Sequence, residues 1–100
     1  MKTTIAVPRR ELQDTVTVMG NLMSAVAAYT SREVKCATMD EMIEALTNQG
    51  TKVQVTVIRE SLADMLTVLR KLMKVVSEET ARPMTCSDAQ VLEVLLNVTA

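Results

Sequence analysis

The chain has 100 residues, a formal net charge of −1 and 48% hydrophobic residues. This length suits one domain with a single core, and the apolar content is typical of a globular protein. A near-neutral chain has no overall attraction for nucleic acid or for an anionic membrane, so any anion site must be local. Because no apolar run could span a bilayer and the first residues lack an apolar signal stretch, we expect no membrane partner and a cytoplasmic location.

The sequence repeats itself after fifty residues. Many identical residues coincide at this shift as far as the cysteines, among them Lys2/Lys52, Val7/Val57, Arg9/Arg59, Leu12/Leu62, Asp14/Asp64, Thr17/Thr67, Leu22/Leu72 and Cys36/Cys86. Beyond the cysteines we expect the register to slip by one, which pairs Thr38 with Ser87. The repeat predicts one α+β domain, residues 1–100, made of two strand-helix-helix units at 2–49 and 52–98. A pseudo-twofold axis would relate the units, with four helices covering a small ribbon or sheet.

Each unit opens with a predicted strand. Residues 2–7 and 52–57 alternate polar and apolar side chains, which indicates half-buried strands. The side expected to face the core carries apolar residues in both strands: Ile5, Val7, Val53, Val55 and Val57. Pro8 limits the pairing of the first strand, because it donates no backbone hydrogen bond.

Long amphipathic helices are predicted next, from about Arg10 to Tyr29 and from about Glu60 to Glu79. Their apolar side chains fill nearly half of the helical wheel, wider than one packing contact needs. In the first helix these are Leu12, Val16, Val18, Met19, Leu22, Met23, Ala25, Val26 and Tyr29. We therefore expect packing across the repeat and a homo-oligomer. A monomer whose two long helices simply cover the sheet is the alternative.

The second helix of each unit is predicted from a capping box. Thr38 to Glu41 and Ser87 to Gln90 both fit the pattern S/T-x-x-E/Q. These helices should run from about Asp40 to Asn48 and from about Asp88 to Asn97. The preceding segments, 33–37 and 83–86, are predicted to be loops.

Residue types that carry catalysis or bind metal are scarce. The chain has no histidine, only two glycines and no nucleophile elbow, so we expect no enzymatic activity, no cofactor and no metal site. Cys36 and Cys86 are predicted to be free, partly buried thiols. A disulfide bridge across the pseudo-twofold axis is the alternative.

The outward faces of the two strands are candidates for DNA recognition. They carry short side chains with hydrogen-bond donors and acceptors: Lys2, Thr4 and Ala6 in one strand, and Lys52, Gln54 and Thr56 in the other. Paired antiparallel, these strands would form a ribbon narrow enough to enter a major groove. Ordinary solvated strands would look the same. Arg9, Arg10 and Arg59 lie at strand-helix junctions, beside helix N-termini where a bound phosphate is favourable.

Two segments resemble ribbon-helix-helix repressors. Residues 3–12, TTIAVPRREL, look like the strand and first helical turn of that family, and residues 38–46, TMDEMIEAL, are similar to the start of its second helix. In that family the ribbon forms between two subunits and reads base edges. By position, the resemblance implies that Lys2, Thr4, Ala6, Lys52, Gln54 and Thr56 read bases. It also implies that Thr38 and Ser87 hold phosphates at helix N-termini.

These observations predict a small non-enzymatic protein that binds double-stranded DNA, regulates transcription and acts as an oligomer. The alternative is an inhibitor or adaptor that binds another protein through apolar helix faces and strand edges. Eight methionines and no phenylalanine or tryptophan are compatible with such an adaptable apolar surface.

Overall fold

The computed structural model describes residues 3–98 and confirms the α+β class. Its elements are β1 (Thr4–Pro8), α1 (Arg9–Thr30), α2 (Ala37–Asn48), β2 (Gln54–Ile58), α3 (Arg59–Thr80) and α4 (Ser87–Val98). Every element of the second half begins and ends fifty residues after its counterpart in the first half. The one-residue slip expected after the cysteines is therefore wrong.

The two strands form an antiparallel ribbon whose register is symmetric about its central pair. Ala6 lies opposite Thr56, and the outermost pairs are Thr4 with Ile58 and Pro8 with Gln54. The ladder continues beyond the strands, since the Arg9 N–H donates to the Val53 carbonyl at 2.8 Å and the Arg59 N–H donates to the Thr3 carbonyl at 2.9 Å. Alternate side chains are buried on the helix side of the ribbon: Ile5, Val7, Val55 and Val57.

Val53 does not join this buried face, contrary to the strand pattern. Its side chain is 83% exposed, because β2 begins one residue later at Gln54. The carbonyl of Val53 still accepts the Arg9 N–H, so its contribution to the ribbon comes from the backbone alone.

The two long helices bury their side chains along narrow seams with alternating spacings of three and four residues. The seam of α1 consists of Leu12, Thr15, Met19, Leu22 and Val26, and that of α3 includes Leu62, Met65, Leu69, Leu72 and Val76. This spacing keeps one stripe of a helix turned toward its neighbours. Helix α1 packs against α3 and α4, while α3 also packs against α2, so the halves share one core.

The predicted apolar arc is wider than the seam that the fold buries. Its flanking members are only half-buried: Val16, Val18, Met23 and Ala25 in α1, and Val68, Met73 and Val75 in α3. Tyr29, predicted on the apolar arc, is exposed in the last turn of α1. Thr15 is fully buried instead, and its hydroxyl donates to the Glu11 carbonyl at 2.7 Å, which satisfies this polar group within the helix.

The capping boxes predicted for the shorter helices are wrong. Helix α2 begins at Ala37, with Cys36 at the N-cap position and no side-chain cap. Thr38 lies inside the first turn, and its Oγ1 is 3.1 Å from the Cys36 Sγ. Helix α4 likewise begins at Ser87, directly after its cysteine. The segments before these helices are loops, as predicted, except that Ala37 already belongs to α2.

Cys36 and Cys86 are both buried and free, which confirms the expectation of free thiols. No helix within residues 3–98 is long and apolar enough to cross a membrane.

Candidate nucleic-acid interface

The outer face of the ribbon carries uncharged side chains on its strands. Thr4, Ala6, Gln54 and Thr56 are exposed there, while Pro8 and Ile58 at the ends are half-buried. Lys52 is exposed just before β2, and Arg10 is exposed in the first turn of α1. Lys2, predicted to contact DNA, lies outside the described residues.

Arg9 and Arg59 bind carbonyl groups within the fold. The Arg9 guanidinium donates from Nη1 to the Leu46 carbonyl at 3.1 Å and from Nε to the Lys52 carbonyl at 2.5 Å. Arg59 donates from Nη2 to the carbonyl of Leu96. Each cation therefore lies at the C-terminal turn of the shorter helix of its own half, where it complements the negative end of the helix dipole. These contacts occupy nitrogen atoms that the sequence interpretation assigned to phosphate.

Thr38 and Ser87 lie far from the ribbon. The first turn of α2 borders the cleft lined by Met23, and the first turn of α4 borders the cleft lined by Met73. Met23 is fourteen residues beyond the first residue of α1, Arg9, which corresponds to about 21 Å along a helix axis. The structure thus separates these predicted phosphate positions from the base-reading positions.

Gln49 occupies the outer edge of β2. Its Nε2 donates to the Thr56 carbonyl at 2.7 Å, and its Oε1 accepts the Thr56 N–H at 2.8 Å. The side-chain amide thus forms both hydrogen bonds that a third strand would make with Thr56. The sequence pattern did not identify Gln49, because its partner is a backbone group seven positions away rather than a complementary side chain.

Charges around the ribbon are unevenly distributed. Arg10 and Lys52 lie at the end where β1 finishes and β2 begins, whereas Glu60 occupies the position at the opposite end that corresponds to Arg10. Beside β2, the groove between this strand and α2 is lined by Glu41 and Glu44. Positive charge on the described ribbon surface is therefore concentrated at one end.

Arg70, an exposed cation on α3, pairs with Glu93 of α4. The Arg70 Nη2 lies 2.5 Å from Glu93 Oε1, and its Nε donates to the same oxygen at 2.6 Å. This ion pair joins α3 to α4, and a phosphate would have to compete with Glu93 for the guanidinium.

Within residues 3–98 no group of three or more acidic or cysteine side chains could hold a metal ion. No protein-family model, curated protein or solved structure matches this chain.

Proposed function

We propose that the protein is a non-enzymatic DNA-binding regulator of transcription, in which two copies of one strand-helix-helix unit within a single chain form a ribbon that enters the major groove. The supporting observation is the antiparallel pairing of β1 with β2 about the Ala6/Thr56 pair, which buries one face and exposes the other. The resemblance to ribbon-helix-helix proteins leads to the same function.

The dimensions of the ribbon support this proposal. Two strands lie about 4.8 Å apart, whereas the major groove is about 12 Å wide, so a two-stranded ribbon with short side chains can enter it. Gln54 can form paired hydrogen bonds with adenine, and the hydroxyls of Thr4 and Thr56 can donate to or accept from base edges. The backbone N–H and carbonyl of Thr56 hydrogen-bond the Gln49 side chain, and the Thr56 hydroxyl is left available to a base.

Lys52 and Arg10 are the phosphate contacts in this proposal. Both are exposed at the cationic end of the ribbon. Arg9 and Arg59 stabilise helix ends. Thr38 and Ser87, in the first turns of the shorter helices, lie too far from the ribbon face to act together with it. We therefore expect a smaller electrostatic contribution than in a strongly basic protein, and a correspondingly shallow dependence of affinity on salt.

The proposal can be tested by selecting duplexes from a random double-stranded DNA library with the full chain. We expect enriched sequences that share a short motif, with an affinity that falls as salt concentration rises. Alanine at Gln54 should relax the preference at one base position by about 1–3 kcal/mol. Alanine at Lys52 should weaken binding to all DNA sequences by the same factor, and it should lower the slope of log affinity against log salt concentration by about one.

Lys74→Ala is the matched control for Lys52→Ala. Lys74 is an exposed lysine fifteen residues beyond the first residue of α3, about 22 Å along the helix from the ribbon. Its replacement removes the same charge without touching the ribbon. A library that yields no enriched sequence, or equal losses from Lys52→Ala and Lys74→Ala, would contradict the proposal.

A further inference from the structure

Among residues 3–98, nothing forms a hydrogen bond with the backbone at the centre of the outer edge of β1. Ala6 and Thr56 are directly opposed, and Thr56 directs its N–H and carbonyl away from β1 toward Gln49. In an antiparallel ladder, the two residues of a pair direct their N–H and carbonyl groups either toward each other or away from each other. Because those of Thr56 point away from β1, those of Ala6 point away from β2, toward the outer edge. Ala6 is exposed, and no hydrogen bond to these two groups is formed within residues 3–98.

Helix α4, which packs against β1, carries an exposed apolar stripe. Val91, Val94 and Val98 are 42%, 58% and 75% exposed, and they follow one another at spacings of three and four residues on one side of the helix. Single exposed valines are ordinary, but a row of three beside an open strand edge forms one continuous surface.

The corresponding surface of the other half differs in chemistry. Fifty residues earlier, α2 has Glu41, Glu44 and Asn48 at the positions of the three valines, and these side chains line the groove beside β2. Two copies brought together at that groove would oppose like charges, and Gln49 already fills the strand edge. Within residues 3–98, the β1 and α4 surface has neither obstacle. Because its stripe is uncharged, it can face an identical stripe across a twofold axis.

We propose that a second copy of this chain binds here, pairing β1 with β1 antiparallel and packing α4 against α4. With Ala6 opposite the second copy's Ala6, each Ala6 N–H donates to the other Ala6 carbonyl. Each Thr4 N–H then donates to the other chain's Pro8 carbonyl. Pro8 has no N–H, so the ladder ends there and the pairing comprises four hydrogen bonds.

Strand pairing and helix packing support each other in this dimer. Continuing the sheet through β1 brings the two α4 helices together beneath it, and their valine stripes meet and lose contact with water. The dimer contains a four-stranded sheet in the order β2, β1, β1, β2. Its outer strands lie about 14 Å apart, wider than the major groove, so this dimer and the proposed DNA complex exclude each other. The dimer does not depend on DNA binding.

Sedimentation velocity of the purified full chain over a wide concentration range tests the proposal. We expect a reversible monomer-dimer equilibrium for the wild type. Val94→Glu should raise the dissociation constant at least a hundredfold, since two buried carboxylates would face each other. Ile43→Glu is the matched control, because it replaces an exposed apolar residue on α2 and should leave the equilibrium unchanged.

Cysteine cross-linking tests the strand register independently of helix packing. In a hydrogen-bonded antiparallel pair the two Cα atoms lie about 5.5 Å apart, within the range that a disulfide can bridge. Ala6→Cys should therefore form a covalent dimer under mild oxidation. Thr56→Cys, which lies opposite on the same exposed face, should remain monomeric because Gln49 covers its edge. Cys36 and Cys86 are buried in the native fold and should not contribute.

A wild-type chain that stays monomeric at millimolar concentration would overturn the proposal. So would a dimer that survives Val94→Glu, or equal cross-linking of Ala6→Cys and Thr56→Cys. Far-ultraviolet circular dichroism of each variant establishes that it is folded. Should Val94→Glu fail to fold, the comparison of the two cysteine variants decides the matter, since both substitutions lie on the exposed face of the ribbon.

Discussion

The side-chain amide of Gln49 hydrogen-bonds both backbone groups of Thr56 and so takes the place of a neighbouring strand along β2. An exposed strand edge is a template for unwanted pairing, and proteins cover such edges in several ways. Covering by a glutamine from the preceding helix end leaves the exposed face of the ribbon unobstructed.

Replacing Gln49 with alanine should lower the free energy of unfolding by about 1–2 kcal/mol, because two hydrogen bonds to partly exposed groups are lost. Urea denaturation measures this loss, and amide hydrogen exchange should show faster exchange at Thr56. Asn48→Ala is the control, since Asn48 is an exposed neighbour and should change stability by less than about 0.5 kcal/mol. Equal stability of the two variants would show that the amide contributes nothing to the edge.

Arg9→Ala should destabilise the fold by about 1–3 kcal/mol. The guanidinium binds the Leu46 and Lys52 carbonyls, and hydrogen bonds to charged groups contribute more than neutral ones. Its neighbour Arg10 is exposed, and Arg10→Ala should be close to neutral in stability. Chemical denaturation of both variants checks the difference. A larger loss for Arg10→Ala would contradict the assignment of Arg9 to the helix end.

Glycine at the C-terminal caps of the long helices should stabilise the protein. Ser31 and Ala81 both have φ of 55°, in the left-handed region that penalises residues with a Cβ atom. Ser31→Gly and Ala81→Gly should each raise the free energy of unfolding by about 0.5–1 kcal/mol. Gly50 has φ of 63°, so Gly50→Ala should have the opposite sign. Thermal unfolding measures all three, and a destabilised Ala81→Gly would contradict this account of the cap.

Gly20→Ala should stabilise α1 by about 1 kcal/mol, since alanine is the better helix former in a helix interior. A Cβ atom added at Gly20 meets no other atom within 4 Å, so the gain is not offset by a steric clash. Thermal or urea unfolding would show it. A loss of stability would contradict the account of Gly20 as an unfavourable residue in an uncrowded helix interior.

Leu12→Ala and Leu62→Ala should each cost about 2–5 kcal/mol, because both leucines are fully buried. They occupy corresponding positions of the two halves, so the two losses should agree within about 1 kcal/mol. Denaturant unfolding of both variants measures the two losses in the free energy of unfolding. A loss confined to one of them would indicate that the halves do not share one cooperative core.

The sequence predicted much of the architecture because periodicity reflects local geometry. Alternation over residues 2–7 located β1 to within two residues, and the apolar arc located α1 to within one residue at each end. The capping boxes failed because Thr38 and Ser87 match a short pattern that says nothing about where the preceding loop ends. The prediction that Val53 faces the core was wrong, because alternation identifies the buried face of a strand but not the residue where the strand begins.

The candidate site was predictable only in part. Exposure of Thr4, Gln54 and Thr56 followed from alternation, whereas the roles of Arg9 and Gln49 did not. Each of these two residues binds a backbone carbonyl, and every residue has one, so no residue type in the sequence marks the partner.

By itself, the sequence determined the α+β class, the order of the elements and the inward position of Ile5, Val7, Val55 and Val57. These features depend on side-chain spacing along one segment, which is local information. Only the tertiary structure decided that Arg9 and Arg59 serve helix ends, that Gln49 covers β2, and that Ala6 and Val94 lie on a surface with no cover within residues 3–98. Contacts of this kind join residues that are distant along the chain, and they form only when helices and ribbon pack around a shared core.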